Sequence, residues 1–202
     1  MITVEEMPTA PHPWKMTSTD LRFLPDDNKR YEIIEGELFV SRQPGFEHQY
    51  TCLQTGVVLN EWDKRKQLGV TNIAPGVIFA DDDDVAPDVV WISHERLAGA
   101  LDAAGHLLVA PELAVEVLSP GSRNEQRDRE FKLKLYSRRG VAEYWIINWM
   151  RRLVEVYRRE NMALRLVATL YDNETLTTPL LPDFSCQVAD LFYLPKVTIE
   201  PK

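Results

Sequence analysis

The chain has 202 residues and a formal charge of −8, with 45% hydrophobic and 27% charged residues. That is enough for one hydrophobic core and short for two. The acidic balance argues against a protein that coats nucleic acid nonspecifically, though not against an enzyme acting on it, because metal-site acids count toward the total. No apolar run approaches the ~20 residues that span a bilayer, so no membrane association is expected.

Residues 1–16 carry acids and prolines instead of a basic patch and an apolar stretch. They read as a flexible tail and not as a secretory signal. A single domain is expected over 17–195, followed by a second tail at 196–202. Tyr31 to Ile34 and Glu37 to Val40 flank Glu35-Gly36 and predict a β-hairpin. Tyr50, Leu53, Val57, Val58 and Trp62 follow helical spacing, so a helix is expected from Phe46 to about Gln67, with Gly69 at its end. Val70 to Ala80 reads as a strand or hairpin, followed by a solvated turn at Asp81–Asp84; that run lacks the glycine and final glutamate of an EF-hand loop. Cys52 and Cys186 lack any zinc-ligand spacing and read as reduced thiols of a cytoplasmic protein.

Asp88 opens the apolar run Val89-Val90-Trp91-Ile92, which leads into a short helix expected at Glu95–Leu101. Leu113-Ala114-Val115-Glu116-Val117-Leu118 is apolar on both faces apart from Glu116, as a central strand of a covered sheet would be. A lone carboxylate there is expensive without a cation, a metal or several donors beside it. Two strands each carrying one inward acid point to a divalent-metal site and hydrolytic chemistry, since magnesium takes one or two carboxylates plus water and phosphate.

Ser119-Pro120-Gly121 ends the strand. Ser122 and Glu125 match a capping box, so a helix is expected to run to about Arg139 and stop at Gly140. Ala142 to Asn148 is the next strand, which makes a crossover unit over 113–148. Leu153–Tyr157 and Leu164–Leu170 are expected as an antiparallel extension, and Val188–Leu194 as a last short segment.

A catalytic lysine would sit naturally two residues after Glu116, but that position is Leu118. Asp128, Lys132 and Tyr136 form one helical stripe, from which Lys132 can reach back over the strand if the stripe faces the sheet. The other reading of the same spacing is an ordinary Asp128–Lys132 surface pair. Arg123, Arg127 and Arg129 open the same helix, either as a solvated face or as a backbone-steering patch.

Four passages together resemble the Uma-two family of the PD-(D/E)xK restriction-endonuclease-like superfamily. They are Leu24-Pro25-Asp26-Asp27 with Tyr31-Glu32-Ile33-Ile34-Glu35-Gly36, then Pro87-Asp88, then Val115-Glu116-Val117-Leu118-Ser119-Pro120. The fourth is Asp128, Lys132 and Tyr136 running into Gly140-Val141 and Glu143-Tyr144-Trp145-Ile146. The resemblance implies an α/β restriction-endonuclease-like core, a mixed sheet flanked by helices. It implies Asp88 and Glu116 as ligands of Mg2+ or Mn2+, and Lys132 as the catalytic lysine moved from strand to helix. Glu32 matches an early family glutamate that would hold metal-bound water or a second ion, against a second reading as a hairpin surface charge. His48 matches a helix-start histidine of the family. Where the family continues the Tyr-Trp strand into aspartate, this chain has Asn148.

The expected activity is metal-dependent endonucleolytic hydrolysis of DNA, with Arg123, Arg127 and Arg129 steering the backbone. A homodimer is expected to pair through the Tyr-Trp strand and the extension after it. Two rivals stay open: an inactive nucleic-acid- or protein-binding module on the same fold, and hydrolysis of another phosphate.

Overall fold

A computed structural model of the protein describes residues 14–192. The hairpin forms as expected from β1 (Arg30–Ile34) and β2 (Glu37–Ser41). Its turn uses two left-handed residues, Glu35 (φ 53°) and Gly36 (φ 79°), the combination that suits a tight hairpin. Helix α1 (Phe46–Lys66) ends at Gln67, whose φ of 53° closes the last turn. Gly69 therefore serves another purpose. A side chain there would meet the Ile92 carbonyl oxygen at 2.3 Å, so glycine is what lets two backbones pack.

The segment expected as one strand or hairpin divides between two sheets. β3 (Gly69–Ile73) pairs with β6 (Val89–Ser93), whereas β4 (Val77–Ala80) pairs with β5 (Asp83–Val85). The acidic run is likewise only partly a turn. Asp83 is fully buried at the start of β5. It accepts from the Glu35 amide at 2.8 Å, from Arg138 at 2.7 Å and from Arg139 Nε at 2.9 Å. Two arginines more than fifty residues away turned an apparent solvated turn into an internal tie. Helix α2 (His94–Leu97) starts one residue earlier than expected and stops sooner, because Ala98 is extended and Gly99 has φ 73°.

β7 (Leu113–Val117) leads through α3 (Ser122–Gln126), a π-helical stretch (Arg127–Lys132) and α4 (Leu133–Arg139) to β8 (Glu143–Asn148). Gly140, at φ 91°, ends the helix as expected. β7 and β8 pair in parallel, which confirms the crossover. β9 (Leu153–Glu160) and β10 (Ala163–Tyr171) continue the same sheet, whose order is β10-β9-β8-β7-β6-β3 with every other pair antiparallel. The smaller sheet has the order β2-β1-β5-β4, and β11 (Thr175–Thr177) pairs with β12 (Ser185–Gln187).

Two layers cover the large sheet. On one face Cys52, Leu59 and Trp62 of α1 pack against Trp91, Val115 and Trp145. On the other, Leu135 and Tyr136 of α4 and Ile34, Val77 and Val85 of the small sheet pack on Val90, Ala114, Tyr144 and Ile146. Strand alternation sends Val115 and Val117 to the first face and Ala114 and Leu118 to the second. Glu116 points into the second layer with the latter pair.

Every residue of β8 is buried within the chain, so the Tyr-Trp strand offers no dimer surface. Leu166, Val167 and Tyr171 on the edge strand β10 are exposed. The expected tails fall outside the described residues, apart from 14–16, where the Met16 amide donates to the Gly36 carbonyl at 2.9 Å.

Candidate active site

In the β6–β7 pairing Val89 faces Val115 and Val90 faces Ala114. One step further along this register sets Asp88 opposite Glu116. Both are buried, as are Glu32, Asp128 and Lys132. The expected acids thus meet at the end of two adjacent strands, where the small sheet and the π stretch close over them.

The stripe reading of the helix holds and the surface-pair reading does not. Asp128, Lys132 and Tyr136 are each fully buried. Lys132 Nζ lies 2.9 Å from Glu116 Oε1 and 2.8 Å from Glu32 Oε1, bridging the two sheets. The Tyr136 hydroxyl donates to Glu116 Oε1 at 2.7 Å. The Asp128 backbone carbonyl accepts from the Tyr144 hydroxyl at 3.0 Å. The π stretch is rare geometry that recurs at functional sites.

Glu32 is no hairpin surface charge. Besides Lys132 it accepts from the Ala86 amide at 3.0 Å and faces Arg127 at 3.7 Å. Asp88 accepts from the Val117 amide at 2.9 Å and from Arg30 at 3.0 Å, and its Oδ2 lies 3.2 Å from His48 Nε2. Behind His48, the Cys52 thiol lies 3.5 Å from Nδ1.

These contacts divide the charges unevenly. Burial alone would raise the Asp88 pKa, but His48, Arg30 and Lys132 hold it well below the usual carboxylate range. Burial would discharge Lys132, yet Glu116 and Glu32 keep its pKa above the ordinary lysine value. Glu116 is pushed up by burial and by Asp88, Asp128 and Glu32, against the pull of Lys132. Four carboxylates (Glu32, Asp88, Glu116, Asp128) face three cations (Arg30, Arg127, Lys132), and the excess carboxylate is relieved by the raised pKa of Glu116.

That donor set suits a hard divalent ion. Asp88 and Glu116 supply oxygen, carboxylates outnumber cations once Glu116 gives up its proton, and among the described residues both hydrogen bonds to Glu116 fall on Oε1, leaving Oε2. A cleft of about 350 Å³, lined by Arg30, Arg42, His48, Asp88, Asn124 and Arg127, leads to Asp88.

The arginines expected to steer a backbone are placed differently from one another. Arg127 lines the cleft while its Nε bonds Asp128 at 3.0 Å. Arg129 points to Glu155 and Glu125, outside the cleft lining. The side chain of Arg123 falls outside the described residues. Asn148 is buried and accepts from the Arg151 amide at 2.9 Å, a turn cap that asparagine makes as well as aspartate.

Arg30 and Cys52 were not singled out as site residues, although the sequence held a cue for each. Arg30 is two residues before Glu32 in a strand, hence on the same side. Cys52 is one helical turn after His48. What sequence alone lacked was the direction of those two faces.

The architecture has known counterparts. A putative nuclease of the DUF820 group from Anabaena variabilis superposes with a TM-score of 0.69 at 19% identity, covering 88% of this chain and 97% of that one, which shows a shared fold. The type IIG restriction endonuclease BpuSI gives a TM-score of 0.39 at 12% identity, over 71% of this chain and 15% of its own, too low to argue from. No curated protein matches the sequence. The sequence family described as "Putative restriction endonuclease", Uma2, matches residues 19–189. That span takes in all four passages quoted above and every residue of the buried cluster, and the chain belongs to the Uma2 family.

Proposed function

We propose that the protein is a metal-dependent endonuclease that hydrolyses phosphodiester bonds of DNA. The observation that carries the reading is Lys132, an ammonium buried between Glu116 and Glu32 from a helix of the crossover, with Asp88 across the strand pair. Asp88 and Glu116 would hold Mg2+ or Mn2+, which supplies Lewis acidity toward a phosphoryl oxygen and acidifies a water. Lys132 fixes the Glu116 and Glu32 carboxylates and keeps positive charge beside the place where phosphoryl charge develops. Glu32 would hold metal-bound water or a second ion at the same spot. Arg30 and Arg127, at the cleft, meet the phosphate backbone. Cutting two strands calls for two copies, and β10 is the exposed edge through which a homodimer would form. The free thiols of Cys52 and Cys186 suit work in the reducing cytoplasm.

The test is conversion of supercoiled plasmid by purified protein with Mg2+ or Mn2+. Cleavage should disappear with a chelator and in Glu116→Gln and Lys132→Met, both checked for folding. Binding that weakens with salt, without cleavage under any metal, leaves the reading as a nuclease-fold binding module. One observation favours that second reading: Arg30, His48 and the Val117 amide already satisfy Asp88 without any ion.

A further inference from the structure

The oxygen pair is not the only donor set that includes Asp88. His48, Cys52 and Asp88 are all buried, and each offers a ligand atom within 4.8 Å of the other two. They come from the first turns of α1 and the start of β6, and none of the three bonds Lys132. Asp88 Oδ2 lies 3.2 Å from His48 Nε2 and Cys52 Sγ 3.5 Å from Nδ1, opposite ring nitrogens of which a single ion takes one, so the ring turns or slides toward one neighbour on binding. An ion with bonds of about 2.0–2.3 Å needs tetrahedral ligand separations of about 3.4–3.7 Å, so a shift of about 1 Å brings all three within reach. His48 and Asp88 also line the cleft, which provides a path for entry.

The chemistry of this trio differs from that of the pair. Sulfur and imidazole select zinc-class ions over magnesium, whereas two carboxylates do the opposite. Three protein ligands leave a fourth position toward the cleft for water. Cys52, moreover, has no role in binding a hard ion and makes no polar side-chain contact other than His48 among the described residues.

We infer that His48, Cys52 and Asp88 form a second metal site, for a thiophilic divalent ion of the zinc class, which shares Asp88 with the hydrolytic site and is therefore occupied only at its expense. The shared part rests on the assignment of Asp88 proposed above; the sulfur site does not. Binding forms metal–sulfur, metal–nitrogen and metal–oxygen bonds and releases the thiol proton to solvent, with no change of oxidation state.

Cobalt(II) reports on such a site through a near-ultraviolet sulfur-to-metal charge-transfer band. Titration of the intact protein under a non-thiol reductant should give a saturable band. It should be lost in Cys52→Ser, weakened in His48→Gln and kept in Cys186→Ser, whose sulfur lies on β12. A folded wild type without the band, or a band that follows Cys186, overturns the site. Saturating zinc should then weaken Mn2+ binding about tenfold or more by competition. Unchanged Mn2+ affinity beside an intact band overturns the sharing of Asp88. Failure of Mn2+ to bind even zinc-free protein removes the hydrolytic reading and with it the sharing, while the sulfur site stands or falls on the band.

Discussion

Lys132 reaches Glu116 from the helix that follows its strand, 2.9 Å between Nζ and Oε1, while the strand position two residues on is filled by a fully buried Leu118. The cation delivered from the helix touches both sheets, for it also holds Glu32 at 2.8 Å. The pair is thus a fastening between layers as well as a piece of chemistry.

Removing that cation strands two buried carboxylates. Lys132→Met keeps most of the volume, and urea denaturation at neutral pH should show a loss of about 3–5 kcal/mol, the usual result of breaking a buried ion pair from one side. The double variant Lys132→Met with Glu116→Gln should recover part of that loss, which a double-mutant cycle reads directly.

Arg30 competes with any ion for Asp88, to which it donates at 3.0 Å. Arg30→Met should therefore tighten Mn2+ binding in calorimetry, by about 1 kcal/mol for this partly exposed partner. The same change should weaken DNA binding and flatten its salt dependence by roughly one phosphate contact.

Protons and metal should compete at Glu116. Its carboxyl pKa is raised by burial and by the Asp88, Asp128 and Glu32 carboxylates, so a fraction is protonated where an ordinary glutamate is not. Mn2+ affinity should climb with pH across the neutral range, with proton release measured as a buffer-dependent heat. The two acids act oppositely on stability. Asp88, depressed in the fold, stabilises above its unfolded value of 3.8 and loses that contribution as pH falls. Glu116, raised in the fold, contributes most below its unfolded value of 4.5 and loses it as pH rises.

Asp83 tests whether the site depends on a tie outside it. Asp83→Asn weakens bonds to Arg138 and Arg139 and should cost about 2 kcal/mol in denaturant, discounted because both arginines are partly exposed. Mn2+ affinity should stay within about twofold of wild type if folding is intact.

The strand-helix-strand unit was legible in the chain because each part announces itself locally: one acid in an apolar run, a capping box, a terminal glycine. Asp88 and Glu116 stood out as inward acids for the same reason, whereas the spacing of Lys132 fitted a surface pair equally well and only the family resemblance favoured it. The surroundings of Asp83 and Arg30 were not legible. Their charged partners lie more than fifty residues away, and a short polar run reads the same whether cations from elsewhere cover it or water does. The split of 69–80 between two sheets was hidden likewise, since pairing partners outside the window decide it.

Arg30 and Glu32 belong to the small sheet, whereas Asp88 and Glu116 sit at the β6–β7 end of the large one. An ion on Asp88 and Glu116 whose bound water Glu32 holds would join the two sheets, and its loss would be felt as loosening far beyond those side chains. Amide exchange should slow together in β1 and β7 on metal loading, although their sequence positions are some eighty residues apart.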